Sequence, residues 1–112
     1  MPEITITDTD GRRATDQILD VRGDFEVAEG MIPGAIHIPM GDLPVRLDEL
    51  APFLDRDEPL VVTCRSGGRV ARTLPWLEQQ GYDVATLDGG MRAWHAAGKP
   101  METADGSEPQ VP

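Results

Sequence analysis

The sequence predicts an α/β domain with a mostly parallel, five-stranded sheet flanked by helices on both faces. Short apolar runs alternate along the chain with stretches of helical periodicity, the pattern that βαβ units produce. One run, Leu60-Val61-Val62-Thr63, is apolar on both faces, as a central strand of a parallel sheet must be. Clusters of Gly and Pro punctuate the chain between these elements. At 112 residues there is room for one domain and one core, which buries roughly two-thirds of the unfolded surface.

Taken in order, Ile4-Thr5-Ile6-Thr7 alternates apolar and polar residues and reads as an edge strand. Asp8 to Gly11 is a turn. Ile18 to Arg22 reads as a buried strand ending in charge. Asp24 to Glu29 forms one or two helical turns with Asp24 as N-cap. Gly30-Met31-Ile32-Pro33-Gly34 is loop, and Ala35 to Ile38 is a third strand closed by Pro39. Leu43, Leu47, Leu50 and Phe53-Leu54 recur at helical spacing, so Pro44 to Leu54 is read as one or two short helices; Pro44 suits a first turn. Asp55 to Pro59 is a charged turn, and Leu60 to Thr63 is the fourth strand. Gly68 to Gln80 is a helix with Val70, Leu74 and Leu77 on one face, Gly81 as its cap and a kink expected at Pro75. Val84 to Leu87 is the fifth strand. Asp88-Gly89-Gly90 turns the chain into a last helix, Met91 to Ala97, capped by Gly98. The domain is therefore placed at residues 1–100. Residues 101–112 carry Pro109 and Pro112 among Glu102, Asp105 and Glu108 and read as a flexible acidic tail with little to bury.

Composition narrows the function classes. A net charge of −10 argues against nucleic acid or an anionic membrane as partner. No run approaches the roughly 20 apolar residues that span a bilayer, and the N-terminus has no basic region and no long apolar run. The expectation is a soluble cytoplasmic protein. Its single cysteine cannot form an internal disulfide, which suits a reducing compartment. His37 and His95 are isolated from other ligand-type residues, so no metal or cofactor is called for.

Cysteine 64 is the centre of the functional reading. It ends the apolar run of the fourth strand and is followed by Arg65-Ser66-Gly67-Gly68-Arg69 and a helix. Strand, tight loop and helix N-terminus together point backbone N–H groups at a bound anion. Ligands of parallel sheets sit beyond the carboxyl ends of the strands, where Cys64 falls. Between Glu58 and Glu78 there is no acidic residue, while Arg65, Arg69 and Arg72 all fall inside. This positive island in an acidic chain suits a small anionic substrate.

Four groups of residues resemble a single-domain rhodanese: Asp20-Val21-Arg22; Glu26 followed by Gly30-Met31-Ile32-Pro33-Gly34-Ala35; Cys64-Arg65-Ser66-Gly67-Gly68-Arg69; and Leu87-Asp88-Gly89-Gly90 with Trp94 and Gly98-Lys99-Pro100. They run in order from about Ile4 to Pro100. The resemblance implies a rhodanese-like fold and sulfurtransferase activity. It makes Cys64 the persulfide-forming cysteine that takes a sulfane sulfur from thiosulfate and passes it to cyanide or a thiol, with a sulfur-carrier protein as a further partner. Two positions depart from the family pattern. Met31 stands where His is usual, and Val70 where a small residue commonly opens the helix; neither changes the loop length.

The chemistry explains the residue types. Attack on a donor sulfur needs a thiolate, the form that a helix N-terminus and nearby cations favour. Gly67 and Gly68 let the backbone curl around the sulfur. Arg65 and Arg69 are assigned to the oxyanion end of thiosulfate, since arginine's planar fork suits such groups; Arg69 is the stronger assignment. With Ser66, Gly67 and Gly68 these residues form the expected substrate cradle. Asp20, Arg22 and Glu26 read as a structural ion-pair cluster beneath the loop, with Arg22 and Glu26 spaced for a local pair. Two other readings compete. Cysteine-dependent phosphatases and arsenate reductases usually place five residues between cysteine and arginine, whereas four separate Cys64 from Arg69. A non-catalytic rhodanese-like binding or regulatory module often lacks the cysteine, which is present here.

Overall fold

The computed structural model describes residues 3–5, 18–53 and 59–112. Strands β1 (Glu3–Ile4), β2 (Ile18–Asp20), β3 (Ile36–His37), β4 (Leu60–Thr63) and β5 (Val84–Leu87) form one five-stranded sheet in the order β1-β5-β4-β2-β3. Every pairing is parallel. The central place of β4 follows from its residues: all four are buried. Thr63 sits beside Asp20, and Val61 lies between Ile18 and Ala85. Both neighbouring strands run the same way, so the carboxyl end of β4 opens at one edge of the sheet's layer. The turn expected at Asp8 to Gly11, the far half of the first strand and most of the charged turn before Pro59 lie outside the described residues.

Alternation along the strands makes two cores, one on each face of the sheet. Leu19, Leu60, Val62 and Val84 point to the face covered by helix α3 (Gly68–Gln79) through Val70, Leu74 and Leu77. Leu43 and Leu50 complete that core. Ile18, Val61 and Leu87 point to the other face, packed by Met91 and Trp94 of helix α4 (Gly90–Ala96) and by Ile32. Helices thus cover both faces, as the sequence predicts.

Element boundaries follow local chemistry. Helix α1 (Asp24–Ala28) begins one residue earlier than a cap at Asp24 would place it; Gly23 is the N-cap, and Glu26 reaches back to accept the Gly23 N–H at 3.1 Å. Among its described residues, the segment read as helix from Pro44 to Leu54 contains one α-helical turn, α2 (Leu43–Arg46), between 3₁₀ turns at Met40–Asp42 and Leu47–Phe53, and Leu54 lies outside them. Pro52 lacks the N–H group that a continuous α-helix would need here, whereas Pro44 sits in the first turn, where none is needed. Helix α3 continues through Pro75 and closes with Tyr82 N–H on Leu77 O (3.1 Å) and Gly81 N–H on Glu78 O (3.0 Å), the paired bonds of a Schellman motif.

Residues beyond Pro100 lie against the domain. Met31 and Glu102 exchange backbone hydrogen bonds of 3.0 and 2.9 Å, and Gln110 N–H donates to Glu29 O at 2.7 Å. Met101 and Val111 pack on the Trp94 core. The buried indole of Trp94 donates to Pro100 O at 2.7 Å, the partner such a group requires. A tail with few apolar residues thus still finds two to bury. Among the described residues, no helix is long and apolar enough to cross a membrane.

Candidate active site

Cys64 follows the last residue of β4, and α3 starts four residues later. The short connection forces a tight curl, and Gly67 takes it up with φ +116°, a conformation side chains disfavour. The curl turns the Gly67 N–H onto Cys64 Sγ at 3.1 Å. Cys64 is 1% exposed and forms the floor of a cleft of about 290 Å3 whose other walls are Arg65, Ser66, Gly68, Arg69 and Arg72. The cysteine, every residue of the predicted cradle but Gly67, and one further arginine therefore line one depression, and Gly67 supplies the amide at its floor.

The loop is fixed from behind by α4. Met91 N–H donates to Cys64 O at 2.8 Å and Arg92 N–H to Arg65 O at 2.9 Å. Two loop carbonyls and two N–H groups that α4 cannot satisfy internally are thereby paired. Local sequence gives no sign of this contact.

The arginines differ in their surroundings. Both terminal nitrogens of Arg69 donate to the two carboxylate oxygens of Glu26, the Nη2–Oε2 bond at 2.7 Å. This bidentate arrangement is the strong form of the arginine–carboxylate contact. It lowers the Glu26 carboxyl from 4.5 to about 2, and the Gly23 N–H acts in the same direction while burial opposes both. Arg69 is correspondingly raised, with Glu26 the main cause. Arg65 donates from Nε to Pro112 O at 2.7 Å.

The expected local pair of Arg22 with Glu26 is replaced by two separate ones. Arg22 is fully buried and binds both oxygens of Asp20, its Nη2 also reaching Gly30 O at 2.7 Å. Glu26 is left for Arg69. Arg72 is the cleft residue that the reading of the loop missed, although the signal was available: three residues after Arg69 on a helix is the same face.

The Glu26–Arg69 pair predicts an acid-dependent component of stability. Glu26 binds its proton near 4.5 when unfolded and only near 2 when folded. The unfolded chain thus takes up more protons on acidification. The pair's contribution is complete above about pH 5, and it is lost as pH falls toward 2. Glu26→Gln is expected to lower stability at neutral pH and to flatten this acid limb, read from urea midpoints across the range. A variant whose midpoints parallel wild type would contradict the assignment.

The family model described as the rhodanese-like domain matches residues 6–97. The chain belongs to the rhodanese-like family. Its curated relatives agree. YtwF of Bacillus subtilis is 46% identical over 83 residues, covering 74% of this chain and 77% of that protein. A sulfurtransferase of Allochromatium vinosum is 39% identical over 90 residues, covering 80% of each. The thiosulfate sulfurtransferase GlpE of Actinobacillus succinogenes is 34% identical over 93 residues, covering 82% of this chain and 80% of that one. Among solved structures, a rhodanese-related protein of Thermoplasma volcanium superposes with a TM-score of 0.78 at 30% identity, over 90% of this chain and 97% of that one. These relatives place the rhodanese-like chain in a family of sulfurtransferases.

Proposed function

We propose that the protein moves a sulfane sulfur from thiosulfate, or another persulfide donor, to cyanide or a thiol through a persulfide on Cys64. The observation that carries this reading is the Gly67 N–H on Cys64 Sγ in an arginine-lined cleft. In the first step the Cys64 thiolate attacks the outer sulfur of thiosulfate. The sulfur–sulfur bond of the donor breaks, and sulfite leaves with the electron pair. The product persulfide places its negative charge on the terminal sulfur, where loop N–H groups stabilise it. In the second step the acceptor attacks that sulfur, the bond to Sγ breaks, and the Cys64 thiolate is restored as thiocyanate or an acceptor persulfide departs.

Within this reading Cys64 is the nucleophile, and Arg65, Ser66, Gly67, Gly68 and Arg69 cradle the donor. Residues 1–100 form the transferring domain, with 101–112 appended to it. A small thiol or a sulfur-carrier protein in the cytoplasm is the acceptor class. The loop, with four residues between Cys64 and Arg69, is tighter than a phosphatase cradle and better matched to one sulfur atom. Wild type is expected to form thiocyanate from thiosulfate and cyanide, and Cys64→Ser to form none. Cysteine-dependent hydrolysis of an aryl phosphate, without thiocyanate, would contradict the proposal.

A further inference from the structure

Three guanidinium groups line the Cys64 cleft, and their partners set them apart. Arg69 faces a carboxylate that stays ionised far below neutral pH, so the Glu26–Arg69 pair adds little net charge to the cleft. Both of its terminal nitrogens are already donating. Arg65 is turned toward the end of the chain by its bond to Pro112 O. Arg72 is exposed, and among the described residues no carboxylate or carbonyl engages it. Among the described residues none of its five donors is engaged, and it stands one helical turn from Arg69 on the wall of the same cleft. The sequence around it, from Pro59 to Leu77, contains no acidic residue.

Resting on the sulfurtransferase reading above, we propose that Arg72 is the specificity-determining cation, which recruits the anionic end of the sulfur donor, while Arg69 is held by Glu26 as a wall of the cradle. A sulfonate has three oxygens to satisfy, and a free planar fork meets two of them at once. Arg69 keeps further N–H groups, but the Glu26 carboxylate already balances its charge, so its pull on a second anion is weaker. The donor's charge therefore favours Arg72. The sulfonate oxygens depart with sulfite, so the effect of Arg72 on them belongs to donor capture.

The test compares thiosulfate, a dianion, with benzenethiosulfonate, a monoanionic donor of the same sulfur, in wild type, Arg72→Gln and Arg72→Lys. Arg72→Gln is expected to raise KM for thiosulfate about tenfold, the scale of one charge-assisted contact, with the larger part of the effect in KM rather than kcat. The rise for benzenethiosulfonate is expected to be smaller, and Arg72→Lys is expected to recover part of the loss. The dependence of thiosulfate KM on salt should weaken in Arg72→Gln, because one exposed cation has gone. A wild type that takes sulfur from thiosulfate while Arg72→Gln keeps its KM overturns this inference alone. Equal losses for both donors, confined to kcat, overturn it as well. A wild type that takes no sulfur overturns the sulfurtransferase reading and this inference with it.

Discussion

Replacing Gly90 with alanine is expected to cost about 3 kcal/mol of stability and to disable the Cys64 loop at the same time. Gly90 opens α4 at φ +64°, where an L side chain is strained by about 1–2 kcal/mol. A Cβ there would lie 2.8 Å from the carbonyl oxygens of both Cys64 and Arg65. These are backbone atoms of the tight loop, so nothing flexible can yield. The same carbonyls accept the Met91 and Arg92 N–H groups. Relief of the clash therefore means moving α4 away from the loop, or the loop away from the Gly67 amide. Either movement lengthens the contacts that fix Sγ. Gly41 is the control: a Cβ at that position meets nothing within 4 Å, so Gly41→Ala is expected to keep both stability and turnover. Urea denaturation and thiocyanate formation, measured together, check both halves. Wild-type stability and turnover in Gly90→Ala would show that α4 does not hold the loop.

Removing the Asp20 carboxylate is expected to be as damaging by a different route. Asp20 ends β2 and is fully buried. It accepts the Arg22 backbone N–H at 3.0 Å, Nε at 3.0 Å and Nη2 at 2.8 Å. In Asp20→Ala the Arg22 cation, itself without exposure, would keep only its bond to Gly30 O. Breaking a buried pair by removing one partner costs about 3–5 kcal/mol, because the remaining charge has no compensation. Replacing both partners with apolar residues avoids that penalty. The double variant Asp20→Leu/Arg22→Met is therefore expected to regain much of what Asp20→Ala loses. A double variant less stable than Asp20→Ala would contradict the account. The pair acts beneath the site rather than in it. It ties the end of β2 to Gly30, and α1, which carries Glu26, lies between.

Local signals carried the sequence a long way here. The ends of β4 and β5 coincide with the apolar runs at Leu60 to Thr63 and Val84 to Leu87, since burial on both faces leaves an uninterrupted run. The loop from Cys64 to Arg69 and the start of α3 at Gly68 were legible because glycine spacing is a local property. Assignments that depend on distant partners were not. Glu26 and Arg69 are 43 residues apart, and Arg65 and Pro112 are 47 apart, so spacing could not pair them. Helical periodicity marked the buried Leu43 and Leu50 and the partly buried Leu47, but could not show that the segment holds one α-helical turn flanked by 3₁₀ turns, with Pro52 inside the second. Arg72 belonged to the positive island seen in the sequence, and only the structure sets it apart from Arg69 by showing which of the two already has a carboxylate.

The central claim is that Cys64 carries the sulfur, and the intact mass of the protein tests it most directly. After incubation with thiosulfate and removal of small molecules, wild type is expected to gain the mass of one sulfur atom, to lose it on adding cyanide, and to show neither change as Cys64→Ser. An unchanged wild-type mass, or the same gain in Cys64→Ser, would contradict the account.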